Sequence, residues 1–202
     1  MTTTDPLRPL ADVEPDDLER LHARLVADAD AAGALDVAYR TLDTPLGSLL
    51  LAATGGGLVR VAFESEGHDA VLERLAALVS PRVLRAPARL DDAARQIEEY
   101  LAGRRRAFDL PVDLRLAGGF RREVLSHLPD IPYGRTASYT QVAAAAGRPR
   151  AVRAVGTACA TNPLPVVVPC HRVLRSDGSL GGYLGGLATK KQLLALEGVV
   201  AA

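Results

Sequence analysis

The sequence predicts a small α/β unit followed by a mainly helical domain built around a helix-turn-helix. Three observations predict it. Two β-rich runs between residues 37 and 64 are split by Thr54-Gly55-Gly56-Gly57. Two segments with helical apolar spacing follow before residue 103. Beyond residue 118 the chain breaks into short helical segments, each stopped by Pro or Gly.

Taken in order, residues 1–36 form an acidic, Ala-rich extension with a helix expected over EPDDLERLHARLVADADAAGAL. Glu14, Asp16 and Asp17 stand at its start, where the positive end of a helix dipole favours negative charge. "VAYRTLDTPLGSLLLAAT" and "GGLVRVAFE" read as strands joined in a hairpin. "HDAVLERLAALV" has Val71, Leu75 and Leu78 on one helical side, and "LDDAARQIEEYLAG" is a second helix closed by Gly103. These segments make a domain over 37–103. "RRRAFDLPVDLRLAGG" is extended and interrupted by Pro111, so residues 104–117 read as a connection. The second domain, 118–202, opens with a helix in "GGFRREVLSHL" that Pro129 stops. "TASYTQVAAAAG" starts at a Thr/Ser cap and ends at Gly147, and "RPRAVRAVGTACATNP" places Pro149 in a first turn. The tight link Gly147-Arg148 between them suggests a helix-turn-helix.

Composition bounds the function. With 202 residues, 48% of them hydrophobic and 24% charged, the chain reads as an ordinary soluble globular protein. No apolar run approaches the roughly 20 residues that span a bilayer, and the acidic start has no signal-like stretch, so no membrane partner and a cytoplasmic setting are expected. Cys159 and Cys170 are the only two cysteines, which suits a reducing compartment rather than a disulfide framework. The net charge of zero hides a division: residues 1–100 carry 10 Arg against 18 Asp and Glu, while residues 101–202 carry 14 Lys and Arg against 6 acids. A second half at +8 beside a first half at −8 points the second half toward a polyanion. Two solvated faces that merely differ are the bland alternative.

Two stretches carry chemistry. In a helix-turn-helix the second helix meets the nucleic acid, and here it bears Arg150 and Arg153 among Ala151, Ala154 and Ala158, small residues that permit close approach. Equally, Ala and Val could pack a core beneath solvated arginines. In "NPLPVVVPCHRVL" the run Val166-Val167-Val168 reads as a buried strand that Pro169 ends, leaving Cys170 at its tip. His171 and Arg172 follow at once, and a neighbouring base or cation favours the nucleophilic thiolate. A cysteine beside a valine run is also commonly an inert buried side chain. Cys159, on a helix among alanines, reads as core.

The residues 153–198, with Arg153-Ala154-Val155-Gly156, Asn162-Pro163, Pro169-Cys170-His171-Arg172-Val173, Gly182-Tyr183, Gly185-Gly186-Leu187-Ala188 and Leu196-Glu197-Gly198, resemble the active-site region of the O6-alkylguanine-DNA alkyltransferases. "IPYGRTASYTQVAAAAGRP" resembles that family's first helix-turn-helix element, and the segments from Thr44 to Glu64 and from Leu90 to Leu114 resemble its first domain. The similarity spans residues 37–198.

The resemblance implies a ribonuclease-H-like first domain and a winged helix-turn-helix second domain. It implies a single, irreversible transfer of an alkyl group from O6-alkylguanine in double-stranded DNA to Cys170, with O4-alkylthymine as a related lesion. The base would be flipped out of the duplex. His171 would take the thiol proton through a water, and Glu197 would orient that imidazole. Tyr139 would donate to the departing guanine, Asn162 would hold the turn below the cysteine loop, and Arg153 would fill the gap left by the base. Ala151 and Ala154 would lie against DNA. Tyr183, Val173 and Leu184 would line the pocket, with backbone groups of Cys170, Val173 and Leu184 reading the guanine edge. No cofactor is implied, and no zinc site, since no cysteine precedes Cys159. A monomer is expected. Val152 stands where some members have Ala, and Arg175 where some have a second Cys. A DNA-binding or regulatory protein without transfer activity is the rival reading, and a Cys-His hydrolase a more distant one.

Overall fold

The computed structural model describes residues 15–199; residues 1–14 of the acidic extension, with Glu14 of its helix start, lie outside the described residues. Helix α1 (Pro15–Ala31) is followed by a four-stranded sheet in the order β3 (Gly57–Phe63), β2 (Gly47–Thr54), β1 (Val37–Thr44), β4 (Val83–Arg85). The long β-rich run is two strands, β1 (Val37–Thr44) and β2 (Gly47–Thr54), because Pro45 and Leu46 turn the chain back on itself. Strand β3 (Gly57–Phe63) pairs antiparallel with β2 through the expected glycine turn, with a bulge at Ala52/Ala53. A short strand that periodicity does not signal, β4 (Val83–Arg85), adds parallel to β1. Helix α2 (His68–Leu78) joins β3 to β4. Helix α3 (Asp91–Leu101) packs Ala94, Ile97 and Tyr100 into the main core.

Both sheet edges meet other parts of the chain, and along β3 this pairs backbone that would otherwise be open to another strand. On β4, His22 of α1 reaches the Arg85 carbonyl (2.5 Å). On β3, Leu58 N–H donates to Pro111 O (2.8 Å) and Asp113 N–H to Leu58 O (2.8 Å), so the connecting segment runs along that edge. Gly57 is required there: at φ +121° its Cβ position lies 2.2 Å from the Pro111 carbonyl oxygen. Leu78, expected beside Val71 and Leu75, is 68% exposed; it is the last residue of α2, where the helix leaves the sheet.

The second domain packs α4 (Gly119–His127), α5 (Tyr139–Ala145) and α6 (Val152–Ala160) around Val124, Val142, Val155 and Ala158. Ser138 caps α5, accepting from Gln141 N–H (3.1 Å), while Gln141 Oε1 accepts from Ser138 N–H (2.7 Å). The helix pair is as expected, but Pro149 falls in the turn before α6 rather than in its first turn, and Ala151 is the cap. Strands β5 (Ala137–Ser138) and β6 (Val173–Leu174) pair in parallel, tying the start of α5 to the cysteine loop. Helix α7 (Gly186–Leu196) closes the domain.

The valine run is not a strand. Residues 163–169 form a compact buried turn in which Val168 N–H donates to Leu164 O (2.8 Å) and Val166 sits at φ +73°. The reason is Asn162, which is fully buried. Its Oδ1 accepts from Leu164 N–H (3.0 Å) and its Nδ2 donates to Val168 O (2.8 Å). With those backbone groups satisfied by a side chain, the segment can be buried without a ladder partner.

Candidate active site

Cys170 opens a single 3-10 turn, Cys170–Arg172, directly after this valine turn, and it is 2% exposed. Asn162 Nδ2 donates to its sulfur at 3.1 Å, so one amide both builds the turn and holds the thiol. Burial pushes the Cys170 thiol up to about 11, against the Asn162 hydrogen bond and the nearby Lys190 charge, which pull it down. The resting sulfur is therefore a thiol at neutral pH. The sequence expectation that His171 and Arg172 bias it to thiolate is corrected here: the Arg172 donors go to Glu197 and Ile131, and burial outweighs what lowers the thiol.

Arg172 instead forks onto Glu197, from Nε to Oε2 (3.1 Å) and from Nη2 to Oε1 (2.9 Å), and its Nη1 donates to Ile131 O (2.6 Å). Glu197, at the C-terminal cap of α7, also accepts from Tyr100 OH (2.6 Å) and from Gly134 N–H (3.0 Å). His171 Nε2 lies 3.0 Å from Glu197 Oε1. Burial alone would raise the Glu197 carboxyl, but the His171, Arg172 and Tyr100 hydrogen bonds outweigh it and hold it at about 2. Glu197 is thus an anion that can only accept, which assigns the His171 proton to Nε2. Burial lowers the His171 pKa below its ordinary value, more than Glu197 raises it. The imidazole is neutral, and its lone pair is on Nδ1, which is buried with no protein partner among the described residues.

The geometry thus brings Cys170, Asn162, His171 and Glu197 together. Tyr139, the first residue of α5, reaches the same region: its hydroxyl lies against Gly181, whose Cβ position is 2.2 Å away. Val173 is buried, and Tyr183 and Leu184 are half-buried on the glycine-rich loop. Tyr183 stands edge-on to His171, ring centroids 6.4 Å apart. Ala154 and Arg153 are exposed on α6 and Ala151 is half-buried at its cap; none of the three has a hydrogen bond to the cysteine network.

Two groups in the site carry no signal in the motif. Tyr100 comes from α3 of the first domain and bridges His171 Nε2 (3.2 Å) and Glu197. Lys190 is fully buried, and its Nζ donates to Val173 O (2.7 Å) behind Cys170. Its place three and four residues before buried Leu193 and Leu194 is the period that marks it as inward-facing. Among the described residues, no three His, Cys, Asp or Glu side chains cluster to hold a metal.

Two family models match the chain: the 6-O-methylguanine DNA methyltransferase ribonuclease-like domain over residues 37–114 and the DNA binding domain of the same family over residues 119–199. The chain belongs to the 6-O-methylguanine DNA methyltransferase family. A methylated-DNA–protein-cysteine methyltransferase of Mycolicibacterium paratuberculosis is 40% identical over 161 residues, covering 80% of this chain and 92% of that protein. The Mycobacterium tuberculosis O6-methylguanine methyltransferase crystal structure superposes at TM-score 0.70 with 38% identity, over 80% of this chain and 92% of that one. A structure of Mycobacterium tuberculosis OGT in complex with DNA gives TM-score 0.68 and 37% identity, over 80% and 93%. Helix α1, which precedes residue 37, lies outside both methyltransferase family models.

Glu197→Gln in this methyltransferase site leaves Arg172 buried beside a neutral amide. Loss of one partner of a buried pair costs about 3–5 kcal/mol, so the variant's urea midpoint falls sharply at neutral pH. The sign with pH follows from the depressed carboxyl. The Glu197 contribution is present above its ordinary value of 4.5 and is lost as pH falls toward about 2, so wild type and variant converge in stability at acid pH.

Proposed function

We propose that the protein repairs DNA directly, moving the alkyl group of O6-alkylguanine onto Cys170 once per chain. The observation that carries this reading is the buried set of a thiol held by Asn162 (3.1 Å) beside a neutral imidazole fixed by Glu197 (3.0 Å), at the foot of a helix-turn-helix. The +8 balance of residues 101–202 supports a DNA partner, as does the likeness to a relative solved in complex with DNA.

The chemistry follows from the proton positions. His171 Nδ1 takes the Cys170 proton, relayed by a water molecule, as the sulfur attacks the alkyl carbon. The S–C bond forms while the C–O6 bond breaks, and the electron pair moves into guanine. Tyr139 donates its hydroxyl hydrogen bond to that leaving base, which lowers the barrier to its departure. Arg172, Tyr100 and Glu197 hold the imidazole so that the charge it gains meets a carboxylate. Arg153 and Ala154, exposed on α6, face the duplex, Ala151 lies at the helix start, and the Val173, Tyr183 and Leu184 segments wall the flipped base. Inserting a side chain where a base has left needs no sequence code, as a repair protein requires.

A thioether is a poor leaving group, so the protein is consumed with its lesion. A duplex carrying O6-methylguanine, mixed with limiting protein, is expected to yield one guanine restored per chain and then stop. Continued restoration, or none, would overturn the reading.

A further inference from the structure

The first domain supplies no nucleophile, yet strand β3 touches both loops that flank Cys170. Val61 N–H donates to Pro163 O (2.9 Å), and Arg60 Nη1 reaches the same carbonyl (3.3 Å). At the end of the strand the Phe63 ring stands edge-on to Tyr183, centroids 5.9 Å apart. The same ring lies against Gly185: a Cβ at that position would meet its carbons at 2.7 Å. Gly185 has φ −80°, a backbone any L-residue adopts, so the ring rather than the backbone demands glycine there.

Phe63 is itself fixed. It is 3% exposed, its N–H donates to Glu66 Oε1 (3.0 Å), and Glu66 is paired with Arg60. On the other side Tyr183 stands edge-on to His171, with its hydroxyl buried and lacking a protein partner among the described residues. A contact chain therefore runs from Phe63 through Tyr183 to the catalytic imidazole. A glycine-rich loop has little stiffness of its own, so its position depends on what it leans against.

From this geometry we infer that Phe63 is a positioning residue that sets the width of the alkyl pocket, bracing the Tyr183–Gly185 wall from the other domain. The inference rests on the alkyl-transfer reading above. It gives the ribonuclease-like domain a part in choosing which adducts are accepted, exerted through a wall rather than through contact with the reacting atoms.

The test compares single-turnover transfer from duplexes carrying O6-methylguanine and O6-benzylguanine, for the wild type, Phe63→Leu, Phe63→Ala, Gly185→Ala and Phe63→Ala/Gly185→Ala, with melting curves to establish folding. Removing the ring is expected to raise the benzyl-to-methyl rate ratio about tenfold in Phe63→Ala, and less in Phe63→Leu. Gly185→Ala slows both substrates about tenfold or more by displacing the wall. Adding Phe63→Ala restores the rate, because the space is then free. If Phe63→Ala does not fold, Phe63→Leu/Gly185→Ala carries the same comparison. A benzyl-to-methyl ratio that stays at the wild-type value in folded Phe63 variants, or a Gly185→Ala defect undiminished in the double variant, overturns the inference alone. A wild-type chain that transfers neither group overturns the alkyl-transfer reading and this inference with it.

Discussion

Cys170→Ala abolishes alkyl acceptance and leaves DNA binding in place. Loss of a covalent nucleophile removes on the order of a millionfold in rate where the whole relay depends on it, and no other thiol can substitute. Cys159 is the second cysteine, buried on α6, and burial raises its thiol further than that of Cys170. The folding cost is small, about 1 kcal/mol for a side chain of that size, since Asn162 keeps its bonds to Leu164 and Val168. The check is paired: a fluorescence anisotropy titration with a lesion duplex, which should give an affinity close to wild type, and a transfer assay, which should read zero. Retained transfer would mean another nucleophile. Loss of both would mean that Cys170 matters to the fold rather than to chemistry. The same pair of measurements separates alkyl transfer from mere lesion binding, because a binding protein would show no difference between the two chains.

His171→Gln changes the pH dependence of transfer as well as its speed. With Cys170 at about 11 and a neutral His171 beside it, the wild type carries its own base, so its rate is flat from neutral pH upward. The flat region extends below pH 6.5, because the His171 pKa is held under that ordinary value, and the rate drops only once the imidazole is protonated. Glutamine keeps a polar side chain of similar reach but has no basic lone pair. Transfer at neutral pH should fall by about 10²–10⁴, the usual worth of general base catalysis. The remaining rate should climb tenfold per pH unit toward about 11, as solvent generates the thiolate. A variant with a flat profile would show that His171 does not take the proton. A wild-type rate that itself climbs through pH 7–9 would show the same.

The four groups at the centre, Asn162, Cys170, His171 and Glu197, were legible through the family resemblance that carries them together; read singly, Asn162 before Pro163 is a helix stop and Glu197 before Gly198 a helix end. The resemblance also implied the Glu197–His171 contact, found at 3.0 Å, but not the other partners of Glu197. Arg172 beside the cysteine reads as the cation that activates it, but its guanidinium matches the geometry of a carboxylate better than that of a thiol, and Glu197 takes it. Tyr100 lies on the apolar face of α3, and in sequence nothing distinguishes it from a packing residue such as Ile97. Its hydroxyl acquires a function only when the two domains close on each other. Three consecutive valines signal a strand by β-propensity, and one buried amide overrides that preference by satisfying the backbone groups a strand would have paired. The sheet's fourth strand was missed for its length of three residues, too short for a period to register. Phe63 likewise reads as the last residue of a strand, and its contact with Gly185 spans more than a hundred positions.

The most direct measurement is the mass of the proteolytic peptide that contains Cys170, taken after the protein has met an excess of O6-methylguanine duplex. One added methyl on that sulfur in every chain, with every other peptide unchanged and the count of repaired bases equal to the count of chains, is the predicted result. A methyl group found on any other residue, or more bases repaired than chains present, would contradict the account.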